Sequence, residues 1–163
     1  MRAVVQRVAE AHVTVRANES GDRENVQHET TGRIGAGVLV YLGCGKGDTE
    51  VDVEWMLEKI LGLRIFENDA GKLDRSVLEI GGSMLVVSQF TLYGDVRKGR
   101  RPSFEGALAP EAARGLYDSF CAKAKARLTV ATGRFQADMR VASVNEGPIT
   151  IWIESPKRAE MNA

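Results

Sequence analysis

The chain has 163 residues, 44% of them hydrophobic, and its 22 basic residues balance 22 acidic ones. That suits one compact domain with a sizeable core. It excludes a global field that would draw the protein to nucleic acid or membrane, so any RNA contact has to come from a local patch. The two cysteines, Cys44 and Cys121, sit in apolar contexts at no metal-ligand spacing and read as buried free thiols of a reducing compartment. Met1 leads straight into a strand-like run without a signal-peptide core, and no apolar run nears membrane-spanning length. The expected location is cytoplasmic.

Residues Ala3 to Val15 read as two short strands, with Val13 and Val15 on one face and His12 and Thr14 on the other. Composition then shifts. Residues 17–31 are almost devoid of apolar side chains and read as an exposed hairpin extension or loop inserted into a single domain that spans 1–163. Gly37 to Gly43 is a continuous apolar run bounded by glycines, the pattern of a central strand buried on both faces. Gly45-Lys46-Gly47 lacks Walker spacing and reads as a strand-to-helix turn. Asp48 or Thr49 caps a helix whose apolar positions are Val53, Leu57, Ile60 and Leu61, and which ends near Gly62.

Leu63 to Phe66 reads as a short strand, and Ser83 to Leu92 as the longest strand of the chain. A second amphipathic helix is expected from Pro110 to about Ala131, with Gly133 at its exit. Gln136 to Val144 alternates as a strand, and so does the run through Ile149, Ile151 and Ile153. Between these two runs, Asn145-Glu146-Gly147-Pro148 reads first as a hairpin turn. Gly-Pro can also take the cis form, which costs only about 0.5–1 kcal/mol at an X-Pro bond. A cis bond would set two backbone acceptors side by side, with no side chain at Gly147 to obstruct approach. The order of elements predicts a mixed α/β layered domain in which two amphipathic helices cover a sheet.

A few stretches carry polar groups where a core would continue. Ser88-Gln89-Phe90-Thr91 ends an apolar strand and reads either as a half-solvated strand end or as a small pocket with hydroxyls, an amide and an aromatic wall. In Arg97 to Arg101 four of five residues are cationic, which is either a solvated loop or a phosphate-backbone contact. The hydrolase templates fit poorly. A Ser-His-Asp triad would need His12, since His28 lies in the polar insertion. No cluster has metal-ligand spacing, and Asp138 sits on a strand as a solvent-facing carboxylate. An enzyme with this sequence works without the usual charged machinery, metal or cofactor.

Taken together, these stretches resemble the D-aminoacyl-tRNA deacylases over nearly the whole chain. The resemblance is carried by the opening Met1 to Val8, by Ser88-Gln89-Phe90-Thr91-Leu92, by Lys98 to Phe104, by Thr132-Gly133-Arg134-Phe135, by Met139, and by Asn145-Glu146-Gly147-Pro148-Ile149-Thr150. It implies a homodimeric, single-domain three-layer α/β/β fold with mixed sheets, and active sites at the subunit interface. It implies an enzyme of translational proofreading that cleaves the ester between a D-amino acid and the 3′ end of tRNA and rejects L-aminoacyl-tRNA. Gly147 and Pro148 would form a cis-peptide chiral filter acting in the partner's site. Ser88, Gln89, Phe90 and Thr91 would line the opposite pocket, Phe135 and Met139 would hold the terminal adenosine, and Arg7, Asn145 and Thr150 would support the Gly-Pro turn.

Backbone at the turn would exclude one enantiomer sterically, and glycine, lacking a side chain, would escape the filter. Thr91 is the tempting nucleophile. Water assisted by the 2′-hydroxyl of the tRNA, with the Phe90 and Thr91 N–H groups stabilising the oxyanion, ranks above it. The insertion at 17–31 is longer than the turn usual in the family, and Glu146 replaces the commoner Asp. The rival functions are a small-molecule esterase using Ser88 or Thr91, a non-catalytic RNA-binding module using Arg97 to Arg101, and a structural dimer. The first lacks a base, the second lacks an aromatic stacking stripe, and the third leaves the polar pocket unexplained.

Overall fold

A computed structural model describes residues 1–16 and 28–156. Strand β1 (Arg2–Arg16) is followed by β2 (His28–Ile34) and β3 (Gly37–Gly43), then helix α1 (Glu50–Leu61). The short strands β4 (Phe66–Glu67) and β5 (Leu73–Arg75) form a separate pair. Next come β6 (Ser83–Ser88), a 3-10 turn (Phe90–Tyr93), helix α2 (Pro110–Lys125), β7 (Thr129–Thr132) and β8 (Met139–Glu154). No helix among the described residues is long and apolar enough to cross a membrane.

The main sheet runs in the order β2-β1-β3-β6-β7, and β8 pairs with β1. Strands β3, β6 and β7 are parallel, and the other pairings in this sheet are antiparallel. Each parallel step needs a crossover, and α1 and α2 supply the two. The helices consequently run in the same direction. Ser119 bonds Glu50 (2.7 Å), Lys123 bonds Glu54 (2.8 Å) and Arg127 bonds Glu58 (2.8 Å), one rung per turn along both axes.

Alternation along the strands separates two cores. Val38, Val40 and Leu42 of β3 and Met84 and Val86 of β6 face α1 and α2, where they bury Val53, Met56, Ile60 and Phe120. Leu39, Leu85 and Val87 point the other way, onto Val8, Ala11 and Val13 of β1 and Ile34 of β2, with Met139 and Val141 of β8 packed alongside. The expected α/β/β layering is therefore present. The two β layers belong to one sheet that curls over on itself rather than to two sheets. Gly32 shows how tightly it curls: a Cβ there would lie 2.6 Å from the Thr132 carbonyl oxygen of β7 and 3.0 Å from its amide nitrogen.

Several expected boundaries move. The two early strands are one, because β1 bonds neighbours along its whole length. The helix expected to run to Ala131 stops at Lys125, and the β-branched residues Thr129, Val130 and Thr132 form β7 beside β6 instead. The short strand predicted over Leu63 to Phe66 is shifted to Phe66–Glu67. Part of the predicted insertion, His28 to Thr31, belongs to β2, and Arg16 pairs with His28, so its described ends are those of a hairpin. The remainder, 17–27, lies outside the described residues. Thr49 is the N-cap of α1 and Gly62 its C-cap, as predicted, and the Asp52 carboxylate accepts the Thr49 N–H at 2.9 Å.

The close approach at Gly32 predicts a sharp contrast in urea denaturation. Gly32→Ala is expected to lose about 1–3 kcal/mol through overpacking against the β7 backbone. Gly35→Ala, whose Cβ would meet nothing within 4 Å, is expected to stay within about 0.5 kcal/mol of the parent.

Candidate active site

Strand β6 ends earlier than its apolar pattern suggests. The Gln89 N–H still donates to the Leu42 carbonyl at 2.8 Å, the last bond toward β3. The chain then turns into Phe90–Tyr93, so strand alternation does not govern Gln89, Phe90 and Thr91. The far end of this turn is pinned by β1. Arg2 donates to the Leu92 carbonyl at 3.0 Å, and its guanidinium lies 4.4 Å from the Tyr93 ring centroid and 5.6 Å from that of Trp152. Phe90 is 56% exposed and meets Phe104 edge to face at 5.1 Å.

Beside this turn lies a cleft of about 680 Å³. Val87, Ser88, Gln89 and Phe90 form one wall, and Phe104, Ala107 to Pro110 and Ala113 another. Phe135, Gln136, Ala137, Met139 and Val141 complete it. Five of the predicted pocket residues thus converge here: Ser88, Gln89, Phe90, Phe135 and Met139. Phe135 is held from behind by Tyr117, ring to ring at 5.7 Å. The Tyr117 hydroxyl in turn donates to the Val86 carbonyl at 2.9 Å, and the Gly133 N–H donates to the same oxygen at 3.1 Å. Phe104, Gln136 and the segment entering α2 were not singled out from the sequence. Phe104 closes the basic stretch Lys98 to Phe104, but no local pattern marks a loop residue as a cleft wall.

The cleft is poor in charge. Cys44 is the one lining residue with a titratable side chain, and burial pushes its thiol up to about 12, so it offers no thiolate near neutrality. Thr91 is not among the lining residues. Its hydroxyl accepts a bond from the Gln89 side-chain amide. An amide donor holds a hydroxyl in place but takes no proton from it, so Thr91 has no general base. The Phe90 and Thr91 N–H groups donate to no acceptor among the described residues and remain available at the start of their turn. His12 lies within β1 between partners on β2 and β8, away from the cleft, and Asp138 is exposed.

The Gly147-Pro148 peptide bond is cis. It does not connect a hairpin, as the sequence suggested. It interrupts β8, which pairs with β1 on both sides of it: Gln6 faces Thr150 and Val8 faces Asn145. Three extra residues of β8 must therefore bulge out between fixed ends. Asn145 staples the bulge, accepting from the Ile149 N–H at 3.2 Å and donating to the Thr150 hydroxyl at 2.9 Å, and Gln6 reaches the same hydroxyl at 3.2 Å. Arg7, only 7% exposed, donates to the Glu146 carbonyl at 3.2 Å and to the Ile65 carbonyl at 2.9 Å. Gly147 has φ +120°, and a Cβ on it would stand 3.2 Å from the Arg7 guanidinium. Gly147 and Pro148 are exposed and do not line the cleft of their own chain.

The profile of the D-Tyr-tRNA(Tyr) deacylase family matches residues 4–154. The chain belongs to that family. It is 54% identical over 158 residues to the D-aminoacyl-tRNA deacylase of Desulfitobacterium hafniense (strain DSM 10664 / DCB-2), covering 96% of this chain and 99% of that one. It is 55% identical over 157 residues to the D-aminoacyl-tRNA deacylase of Myxococcus xanthus (strain DK1622), covering 96% and 95%. A solved structure named c-Myc DNA Unwinding Element Binding Protein superposes with a TM-score of 0.84 at 41% identity, covering 96% of this chain and all of that one. A probable eukaryotic D-amino acid tRNA deacylase shares the fold, with a TM-score of 0.73 at 21% identity over 93% of this chain and 97% of that one.

The clamp on the bulge yields a prediction. Arg7→Met leaves the Glu146 and Ile65 carbonyls without their side-chain donor and is expected to cost about 1–3 kcal/mol in urea denaturation.

Proposed function

We propose that this deacylase cleaves the ester joining a D-amino acid to the terminal ribose of tRNA and spares the L-aminoacyl ester. Membership of the D-Tyr-tRNA(Tyr) deacylase family makes the chain a hydrolase of aminoacyl esters. The observation that carries the finer reading is the division of the site. A charge-poor cleft holds Ser88, Gln89, Phe90, Phe135 and Met139, while Gly147 and Pro148 stand exposed elsewhere on the same chain.

That division is resolved by a homodimer in which Gly147 and Pro148 of the partner subunit close the cleft. Strand β8 supports such a contact. It pairs only with β1 among the described residues, so the other edge of a 16-residue strand is open. Val144 and Trp152 on it are 52% and 50% exposed. In the closed site the terminal adenosine lies against Phe135 and Met139, and the aminoacyl ester lies at Ser88 to Phe90.

The chemistry asks little of the protein, because an aminoacyl ester is already activated. Water attacks the ester carbonyl with help from the neighbouring 2′-hydroxyl of the tRNA. The free N–H groups of Phe90 and Thr91 stabilise the oxyanion as it forms. Thr91, held by Gln89, positions rather than attacks. Selection is steric. A bulge tied down by Arg7 and Asn145 cannot swing aside for an L side chain. Glycine presents no side chain to reject, so glycyl-tRNA is a second substrate.

Parallel deacylation of D-tyrosyl-, L-tyrosyl- and glycyl-tRNA tests this. The D ester and the glycyl ester are expected to be cleaved at least about a hundredfold faster than the L ester, as a pocket clash of about 3 kcal/mol would give. Equal rates for D and L would remove the filter. Thr91→Ala is expected to lower kcat by no more than about tenfold, the worth of one hydrogen bond. A loss of about 10⁴-fold or more would instead make Thr91 the nucleophile.

A further inference from the structure

Phe135 is a wall between two cavities. It also borders a recess of about 440 Å³ along α2, which Arg114, Lys125 and Arg134 line. The Arg114 guanidinium already lies over the Phe135 ring, 4.7 Å from its centroid. Arg134 is paired with Glu29 at 2.9 Å. Arg114 and Lys125 make no ion pair among the described residues. One carboxylate, Asp118, shares the recess and limits its net charge to what a single phosphate would neutralise. In a chain with zero formal net charge, two open cations in one recess, one of them over an aromatic ring, are a local feature.

We propose that this recess receives the phosphodiester linkage that precedes the terminal adenosine of tRNA. The inference rests on the proposed placement of that adenosine against Phe135. With the aminoacyl group at Ser88 to Phe90, the polynucleotide has to leave the cleft past the adenosine, and the recess shares the Phe135 ring with the cleft. The forked guanidinium of Arg114 suits a phosphate, and Lys125, about three turns further along α2, adds a second positive charge at the other end of the recess. The other basic stretch, Lys98, Arg100 and Arg101, is exposed but joins the cleft through Phe104 against Phe90, on the aminoacyl side. Its cations are therefore worse placed to meet the departing strand.

The test compares wild type, Arg114→Gln/Lys125→Gln, Arg114→Lys and Lys98→Gln/Arg100→Gln/Arg101→Gln. All the altered positions are exposed, and Gln suits the helical ones, so folding is expected to survive and is checked by circular dichroism. Two quantities are measured. One is the ratio of kcat/KM for D-tyrosyl-tRNA to that for D-tyrosyl-adenosine, which lacks the phosphodiester. The other is the salt dependence of binding to uncharged tRNA. The Arg114/Lys125 variant is expected to lower the ratio about tenfold and to flatten the salt slope by about 0.7 per phosphate contact removed. Arg114→Lys is expected to keep the slope while recovering only part of the ratio.

An unchanged ratio and slope in an active, folded Arg114/Lys125 variant would overturn the recess. So would the same losses arising from the Lys98/Arg100/Arg101 variant alone, which would route the strand over that loop. If wild type cleaves neither ester, the deacylase reading fails by itself. The recess is then judged on the salt slope for uncharged tRNA, which needs no turnover.

Discussion

The structure depends on strand β1 being hydrogen-bonded along both edges. One edge serves β3 for its first half and β2 for its second, and the other serves β8 from end to end. An antiparallel ladder leaves little freedom in register, because a slip of one residue would turn Val5, Val8 and Val13 out of their cores. The surplus residues of β8 opposite Gln6 to Val8 therefore cannot be absorbed by sliding. They have to leave the ladder as a bulge, and Gly147-Pro148 is its apex. Arg7 is the β1 residue opposite the gap, and its buried guanidinium takes up the Glu146 carbonyl that the ladder no longer serves and ties it to the Ile65 carbonyl beyond the sheet.

The same ladder organises the cleft from the other direction. Arg2, at the start of β1, ties down the carbonyl of Leu92 and stacks on Tyr93, so the turn that carries Phe90 and Thr91 is referenced to β1 as well. The N–H groups at the start of that turn and the bulge on β8 are thus both fixed to one strand, although they do not meet within one chain. The cleft supplies shape, side-chain amides and the Ser88 hydroxyl rather than charge, and its thiol is held protonated by burial. Such a site suits the hydrolysis of an activated ester, where the discrimination between substrates is harder than the bond cleavage.

Much of the fold was legible from local pattern. The continuous apolar run Gly37 to Gly43 became a strand buried on both faces, and the Thr49 cap and Gly62 stop bounded α1 as expected. Local pattern failed where a neighbour decided the outcome. The helix expected from Pro110 ran on to about Ala131, yet pairing with β6 made Thr129 to Thr132 a strand. Gln89 to Leu92 extended an apolar run, yet β3 offered no partner beyond Leu42, and the chain turned. Asn145 to Pro148 has the composition of a hairpin turn, and only the shared partner β1 shows it to be a bulge within one strand.

The sequence by itself determined the family, the two amphipathic helices, the buried central strand and the residues of both short motifs. Each of these is written in spacing or in side-chain type within a few residues. The tertiary structure alone decided that Phe104, Gln136 and the segment entering α2 wall the cleft, and that Gly147-Pro148 is a bulge within one strand rather than a turn between two. Periodicity states which face of a strand is buried. It does not state which distant strand lies alongside, because hydrogen-bond partners and the packing of one layer on another are set by the whole chain at once.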